Sequence, residues 1–152
     1  MPRIPFPQLA RQRVVVLDGS MGANLHQRPL DLQRDWCGYE NACEVLNFSR
    51  PDLIQEIHES FLAVGCDAVE TNTFNGSRND LEEADLADRT EEVNRVAAQI
   101  AREACDRFET RDRPRYVIGS VGPTRRLVTL GQTSWDGLLL SLIHISEPTR
   151  RS

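Results

Sequence analysis

Lysine is absent from this chain. All 18 of its basic residues are arginine, which we read as the codon bias of a GC-rich genome and not as a recognition device. Acidic residues outnumber them, and the net charge of -5 argues against non-specific nucleic-acid binding, which needs basic side chains against phosphates. Long apolar runs are missing too: none approaches the roughly 20 residues of a membrane helix. The opening Met1-Pro2-Arg3-Ile4-Pro5-Phe6-Pro7 is broken by Arg3 and the prolines and leads into no apolar stretch, so it is not a secretory signal. Residues 1–11 are expected to form a disordered leader. With no export signal, Cys37, Cys43, Cys66 and Cys105 are expected in a reducing cytoplasm, where disulfides are rare. None of the four is spaced like a structural zinc pair, and Cys105 lies on an apolar helix face where a free thiol packs as a small hydrophobe. All four are read as structural. His26 and His58 also lack partners at ligand spacing. Arg125-Arg126 reads as a solvated loop.

What is present is an alternation. The 152 residues suit one domain. Arg13-Val14-Val15-Val16-Leu17 is a β-branched apolar run that ends at Asp18-Gly19-Ser20-Met21-Gly22. A continuous apolar strand of this kind belongs in a parallel sheet buried on both faces. Residues 23–48 read as irregular. Ser49-Arg50-Pro51-Asp52 is a capping box, followed by Leu53, Ile54, Ile57, Phe61 and Leu62 on one helical face and by Gly65 as a left-handed stop. A second strand runs from Cys66 into Glu70-Thr71-Asn72-Thr73-Phe74. The strongest periodic signal follows. A cap at Asp88-Arg89-Thr90-Glu91 precedes an apolar stripe of Val93, Val96, Ala97, Ile100, Ala101, Ala104, Cys105 and Phe108. A third strand, Tyr116 to Val121, closes at Gly122-Pro123, and Thr133-Ser134-Trp135-Asp136 caps a last helix.

The order βαβαβα implies a parallel α/β sheet, either open and doubly wound or closed as a barrel. Asp18-Gly19-Ser20-Met21-Gly22 is not a G-x-G-x-x-G dinucleotide fingerprint, which weakens the open-sheet reading. Polar groups gather where each strand ends: Asp18, then Glu70 to Thr73, then Ser120. Strand ends of this kind build the active sites of (β/α)8 barrels. Asp18 before a glycine also suits a plain turn, and Glu70 a plain surface carboxylate.

Three segments carry a resemblance: Val16-Leu17-Asp18-Gly19-Ser20-Met21-Gly22, Gly65 through Phe74, and Gly119-Ser120-Val121-Gly122-Pro123. Asn47-Phe48-Ser49-Arg50-Pro51 and Asn94-Arg95-Val96-Ala97-Ala98 add to it. Over roughly residues 12–138 the chain resembles the N-terminal homocysteine-binding domain of the homocysteine S-methyltransferase family, in its cobalamin-dependent methionine synthase branch. The resemblance implies the first three βα units of a (β/α)8 TIM-type barrel, incomplete, over residues 12–139. It implies homocysteine as substrate, with Asp18 for its ammonium, the backbone around Gly19 and Thr71 to Thr73 for its carboxylate, and Glu70 orienting the cluster. Asp18, Gly19, Ser20, Glu70, Thr71, Asn72 and Thr73 form the expected binding set.

The same resemblance implies zinc held by three cysteine thiolates on later strands, absent from this chain. It further implies methylcobalamin and methyltetrahydrofolate bound by downstream domains. The alternatives are a stand-alone transferase using betaine or S-methylmethionine, and a non-catalytic α/β binding module. The stretch Leu140 to Arg150 departs from the family's third helix and is similar to an in-frame translation of a transposase library adapter. Residues 140–152 are therefore expected to be foreign to the protein, and the polypeptide as it stands to be poorly folded and inactive.

Overall fold

The computed structural model describes residues 4–146, with backbone alone for 143–146. The expected tail, residues 140–152, therefore lies partly outside the described residues. Helix α1, Phe6–Gln12, replaces the expected disordered leader. Proline in a first helical turn sacrifices no hydrogen bond, but what holds α1 is tertiary. Leu9 is buried, the Phe6 ring meets the Tyr116 ring edge-on at 5.3 Å, and Tyr116 Oη donates to the Ile4 carbonyl at 2.5 Å.

The stretch expected to be irregular also contains structure. Helix α2 is Met21–His26, capped by Ser20, whose Oγ accepts from the Ala23 N–H at 3.2 Å. A 3-10 turn at Cys43–Val45 runs into α3, Leu46–Ser49. Helix α4 is Pro51–Ala63. Ser49 does not cap it: its hydroxyl donates instead to the Asp35 carbonyl at 2.5 Å. Gly65 does end the helix with a positive φ of 112°.

Strand β1 is Ala68–Glu70, and α5 is Arg78–Leu81. Helix α6, Thr90–Phe108, buries Val93, Ala97, Ile100, Ala101, Ala104 and Cys105 on the predicted stripe. Its predicted cap does not form. Thr90 Oγ1 donates back to the Ala87 carbonyl at 2.7 Å, and Asp88 pairs with Arg78 at 3.0 Å. Strand β2 is Tyr116–Ile118. Helix α7, Trp135–Ser146, starts where Ser134 Oγ accepts from the Gly137 N–H.

β1 and β2 pair in parallel, with Ala68 opposite Tyr116 and Glu70 opposite Ile118. The first expected strand is reduced to a single parallel bridge, Leu17 to Ala68. Backbone bonds from Asp67 N to Val16 O (2.7 Å) and from Asp18 N to Ala68 O (3.2 Å) hold it on the other edge of β1. Its one neighbour is β1, and Val14 and Val16 stay exposed. The fold is thus α/β, with three chain segments in sequence order across the sheet.

Val69 and Val117 face α4 and α6, packing with Leu62, Ala101 and Ala104. Small residues at these positions let α6 approach both strands closely. Ala68, Tyr116 and Ile118 face the other way, against α1. A bidentate ion pair ties residues 13–17 to β1: both nitrogens of the Arg13 fork reach the Asp67 carboxylate at 2.8 Å. Asp67 Oδ2 also accepts the Val16 N–H at 3.0 Å.

Candidate functional site

A cleft of about 490 Å³ opens over the strand ends. Asp18, Gly19, Ser20, Glu70, Thr71 and Asn72 line it, which brings together six of the seven expected residues. The seventh, Thr73, is buried behind them. Asp18 follows the bridged segment and turns its carboxylate onto β1, where both oxygens accept the Glu70 N–H at 3.0 and 3.2 Å. Glu70 in turn accepts from the Ser120 hydroxyl at 3.1 Å. Two carboxylates from neighbouring strand ends therefore stand at one mouth, a setting that attracts a cation.

The threonines act as framework. Thr71 Oγ1 shares a hydrogen bond with Thr73 Oγ1 at 2.7 Å and accepts the Ser120 N–H at 3.0 Å. Thr73 Oγ1 donates to the Ser120 carbonyl at 2.8 Å. The amides of Thr71 and Thr73 are already committed, to the carbonyls of Ile118 and Thr71, so the expected carboxylate contact does not come from them. The side chain of Asn72 is also spent on structure: it donates to the Cys43 carbonyl at 2.8 Å and to Asn47 Oδ1 at 3.0 Å. Among the described residues, the N–H groups of Gly19, Ser20 and Asn72 have no protein acceptor. They are the donors left for an anionic group.

Burial pushes the Asp18 carboxyl up to about 6, and the neighbouring Glu70 charge adds to that. A group poised near neutrality between a helix and two strand ends is a common mark of a functional site.

The sequence model of the family described as homocysteine S-methyltransferase matches residues 15–147. The chain belongs to that family. Among its relatives, the methionine synthase of Mycobacterium tuberculosis (strain ATCC 25618 / H37Rv) is 44% identical over 124 residues, covering 82% of this chain. That of Mycobacterium leprae (strain TN) is 42% identical over the same length. The chain spans only 10% of either relative. The crystal structure of the homocysteine methyltransferase MmuM from Escherichia coli in its oxidized form superposes with a TM-score of 0.63 at 21% identity. It covers 80% of this chain and 41% of that one. The metallated form gives 0.60. The homocysteine S-methyltransferase fold is thereby shared over most of the chain.

Three further side chains of this family member stand at or beneath the cleft, and of these Glu44 carries no signal in the sequence. Glu44 lies at the cleft, is buried, and accepts the Asn75 N–H at 2.7 Å; burial raises its pKa. Cys43 also lines the cleft, and burial pushes its thiol up to about 11. His58 is wholly buried beneath Asp18, with Nδ1 3.9 Å from Oδ2. Only its position on α4, one residue after Ile57 on the apolar face, hinted at burial. Among the described residues no group of three or more His, Cys, Asp or Glu is arranged to hold a metal. Two of the cysteines are committed elsewhere: Cys105 is packed into the core and Cys66 donates its S–H to the Leu17 carbonyl.

No described helix is long and apolar enough to cross a membrane.

Proposed function

We propose that this chain supplies the amino-acid half of a homocysteine site in a methionine synthase-type methyltransferase, on the first βα units of a (β/α)8 barrel. The observation that carries this reading is that the Asp18–Glu70 carboxylate pair lines one cleft together with Gly19, Ser20 and Asn72, whose N–H groups have no protein acceptor among the described residues. A zwitterionic amino acid asks for that arrangement: an anion for its ammonium, N–H donors for its carboxylate. Asp18 takes the ammonium, Glu70 adds charge beside it, and the Thr71–Thr73–Ser120 network holds the two strand ends in register. The reacting thiol then points away from these groups, towards parts of the protein beyond this chain.

The relatives named methionine synthase support methyl transfer to that thiol. A zinc ion would lower the thiol's pKa, but the described residues do not fit zinc, and no step of this chain passes through it. Methylcobalamin, recharged from methyltetrahydrofolate on downstream domains, is the proposed donor, in a cytoplasmic enzyme. The 44% identity to a methionine synthase favours this donor over betaine or S-methylmethionine, and over a non-catalytic binding module. The chain alone is inactive in this reading, and residues 140–152 are proposed as foreign to it, against a family match that runs on to residue 147. Resequencing that finds a native stop codon after Ser152 removes that last point.

The deciding experiment is calorimetry with homocysteine on the complete gene product. Wild type binds and Asp18→Ala loses at least tenfold in affinity, as expected for a charge-assisted contact. Equal binding by the two removes Asp18 from the site. Turnover with methylcobalamin against S-methylmethionine separates the two enzyme readings.

A further inference from the structure

His58 sits on the α4 face that packs beneath the strand ends, and its side chain is wholly buried. Neither ring nitrogen has a hydrogen-bond partner. An unpaired buried donor carries its full desolvation penalty, and an apolar side chain would fill the same space without it. A histidine in this position therefore needs a reason. One carboxylate oxygen stands close by. It is Oδ2 of Asp18, 3.9 Å from Nδ1, on a side chain itself only 4% exposed.

We propose that His58 is the positioning residue of Asp18: its Nδ1–H closes on Oδ2 when the carboxylate holds the substrate's ammonium, and so fixes the direction in which Asp18 points. This rests on the homocysteine reading above. The separation is too long for a hydrogen bond in the unliganded site, where such contacts are often loose and tighten in the complex. Asp18 has the capacity. A carboxylate offers about four lone-pair sites; the Glu70 N–H occupies one edge, which leaves room for an ammonium and an imidazole N–H.

Neutral histidine suits the task. Burial lowers its pKa to about 4, so at neutral pH the ring carries one proton and adds no competing charge. The other titratable groups coupled to Asp18 are Glu70 and Cys66. The first is an acid, and the second gives its S–H to the Leu17 carbonyl. Neither supplies Asp18 with a side-chain donor.

The test uses the complete gene product with nitrogen-15 in its histidine rings. Long-range nitrogen–proton correlation reads the tautomer of His58 directly. A neutral ring protonated on Nδ1 is expected, with that proton moving downfield on adding homocysteine. It should stay still with 4-mercaptobutanoate, the same thiol acid without the amino group. An Nε2–H tautomer in the homocysteine complex overturns the inference.

Calorimetry gives a second arm. His58→Asn, whose amide nitrogen takes the place of Nδ1, should keep homocysteine affinity within about twofold, whereas His58→Leu should weaken it about tenfold. Equal affinity in His58→Leu overturns the proposal, and so does equal loss in both variants, which marks a packing role. If wild type binds no homocysteine, the underlying reading fails instead. The ligand-free tautomer, compared with that of Asp18→Ala, then still decides whether His58 serves Asp18.

Discussion

Asp18 is held where its own charge is disfavoured. Its carboxyl lies near 6 against an ordinary 3.8, so on raising the pH the unfolded chain releases this proton first. Folding stability therefore falls from about pH 4 and has lost the whole contribution above about pH 6. Asp18→Asn should raise the Tm at pH 7 and leave it nearly unchanged at pH 4; thermal melts across that range read the difference. The same ionisation serves binding, so the affinity of wild type for homocysteine should increase between pH 5 and 7. Asp67 behaves in the opposite way. The Arg13 guanidinium holds its carboxyl down at about 2, so its contribution is present above about pH 4 and is lost as the pH falls through 2. Asp67→Asn breaks the fork and should cost roughly 2 kcal/mol in urea unfolding at pH 7. An unchanged urea midpoint would show that the pair contributes nothing.

At the level of elements, what could be read beforehand followed from periodicity. The stripe of α6 and the apolar face of α4 are buried as their spacing predicts, because a helix makes its own hydrogen bonds and needs only one face covered. Strands lack that independence. Residues 13–17 have strand composition, yet with Val14 and Val16 uncovered they make a single bridge. Helix α1 was not legible because Tyr116 and Ala68, distant in sequence, provide its seat. Side-chain caps were the other feature that spacing alone did not settle: Ser49 and Asp88 fit caps by spacing, but Ser49 donates to the Asp35 carbonyl and Asp88 pairs with Arg78. In the cleft, strand-end polarity points to Asp18 and Glu70, while the place of His58 is not legible because nothing in its neighbourhood in sequence shows that α4 runs beneath Asp18.

One element-level prediction concerns the junction of the two loops after β1 and β2. A Cβ on Gly122 would stand 2.5 Å from the Phe74 carbonyl oxygen, which accepts the Gly122 N–H at 3.0 Å. Gly122→Ala must part these loops. It should destabilise the fold by about 1–3 kcal/mol and widen the cleft that Phe74 lines. Chemical denaturation alongside homocysteine calorimetry checks both effects.

For the whole molecule, apolar side chains remain uncovered along the open edges. Val14, Val121, Leu130, Trp135, Leu139 and Leu140 are all more than half exposed. A groove of about 770 Å³ runs between α6 and β2, touching Val117 and Gly119. Exposed strand edges and apolar surface of this extent promote association. Light scattering on the 152-residue chain should show self-association, and the complete gene product should melt cooperatively. A monodisperse, cooperatively melting 152-residue chain would contradict this. The seat of α1 has a further consequence for the order of events during synthesis. The first helix leaves the ribosome early, but the Ile4 carbonyl is bonded by a tyrosine 112 residues later. The nascent helix has to wait for this anchor until β2 has been made. Its docking then reports that β2 is in place, and contacts that span such sequence distances form late and slowly.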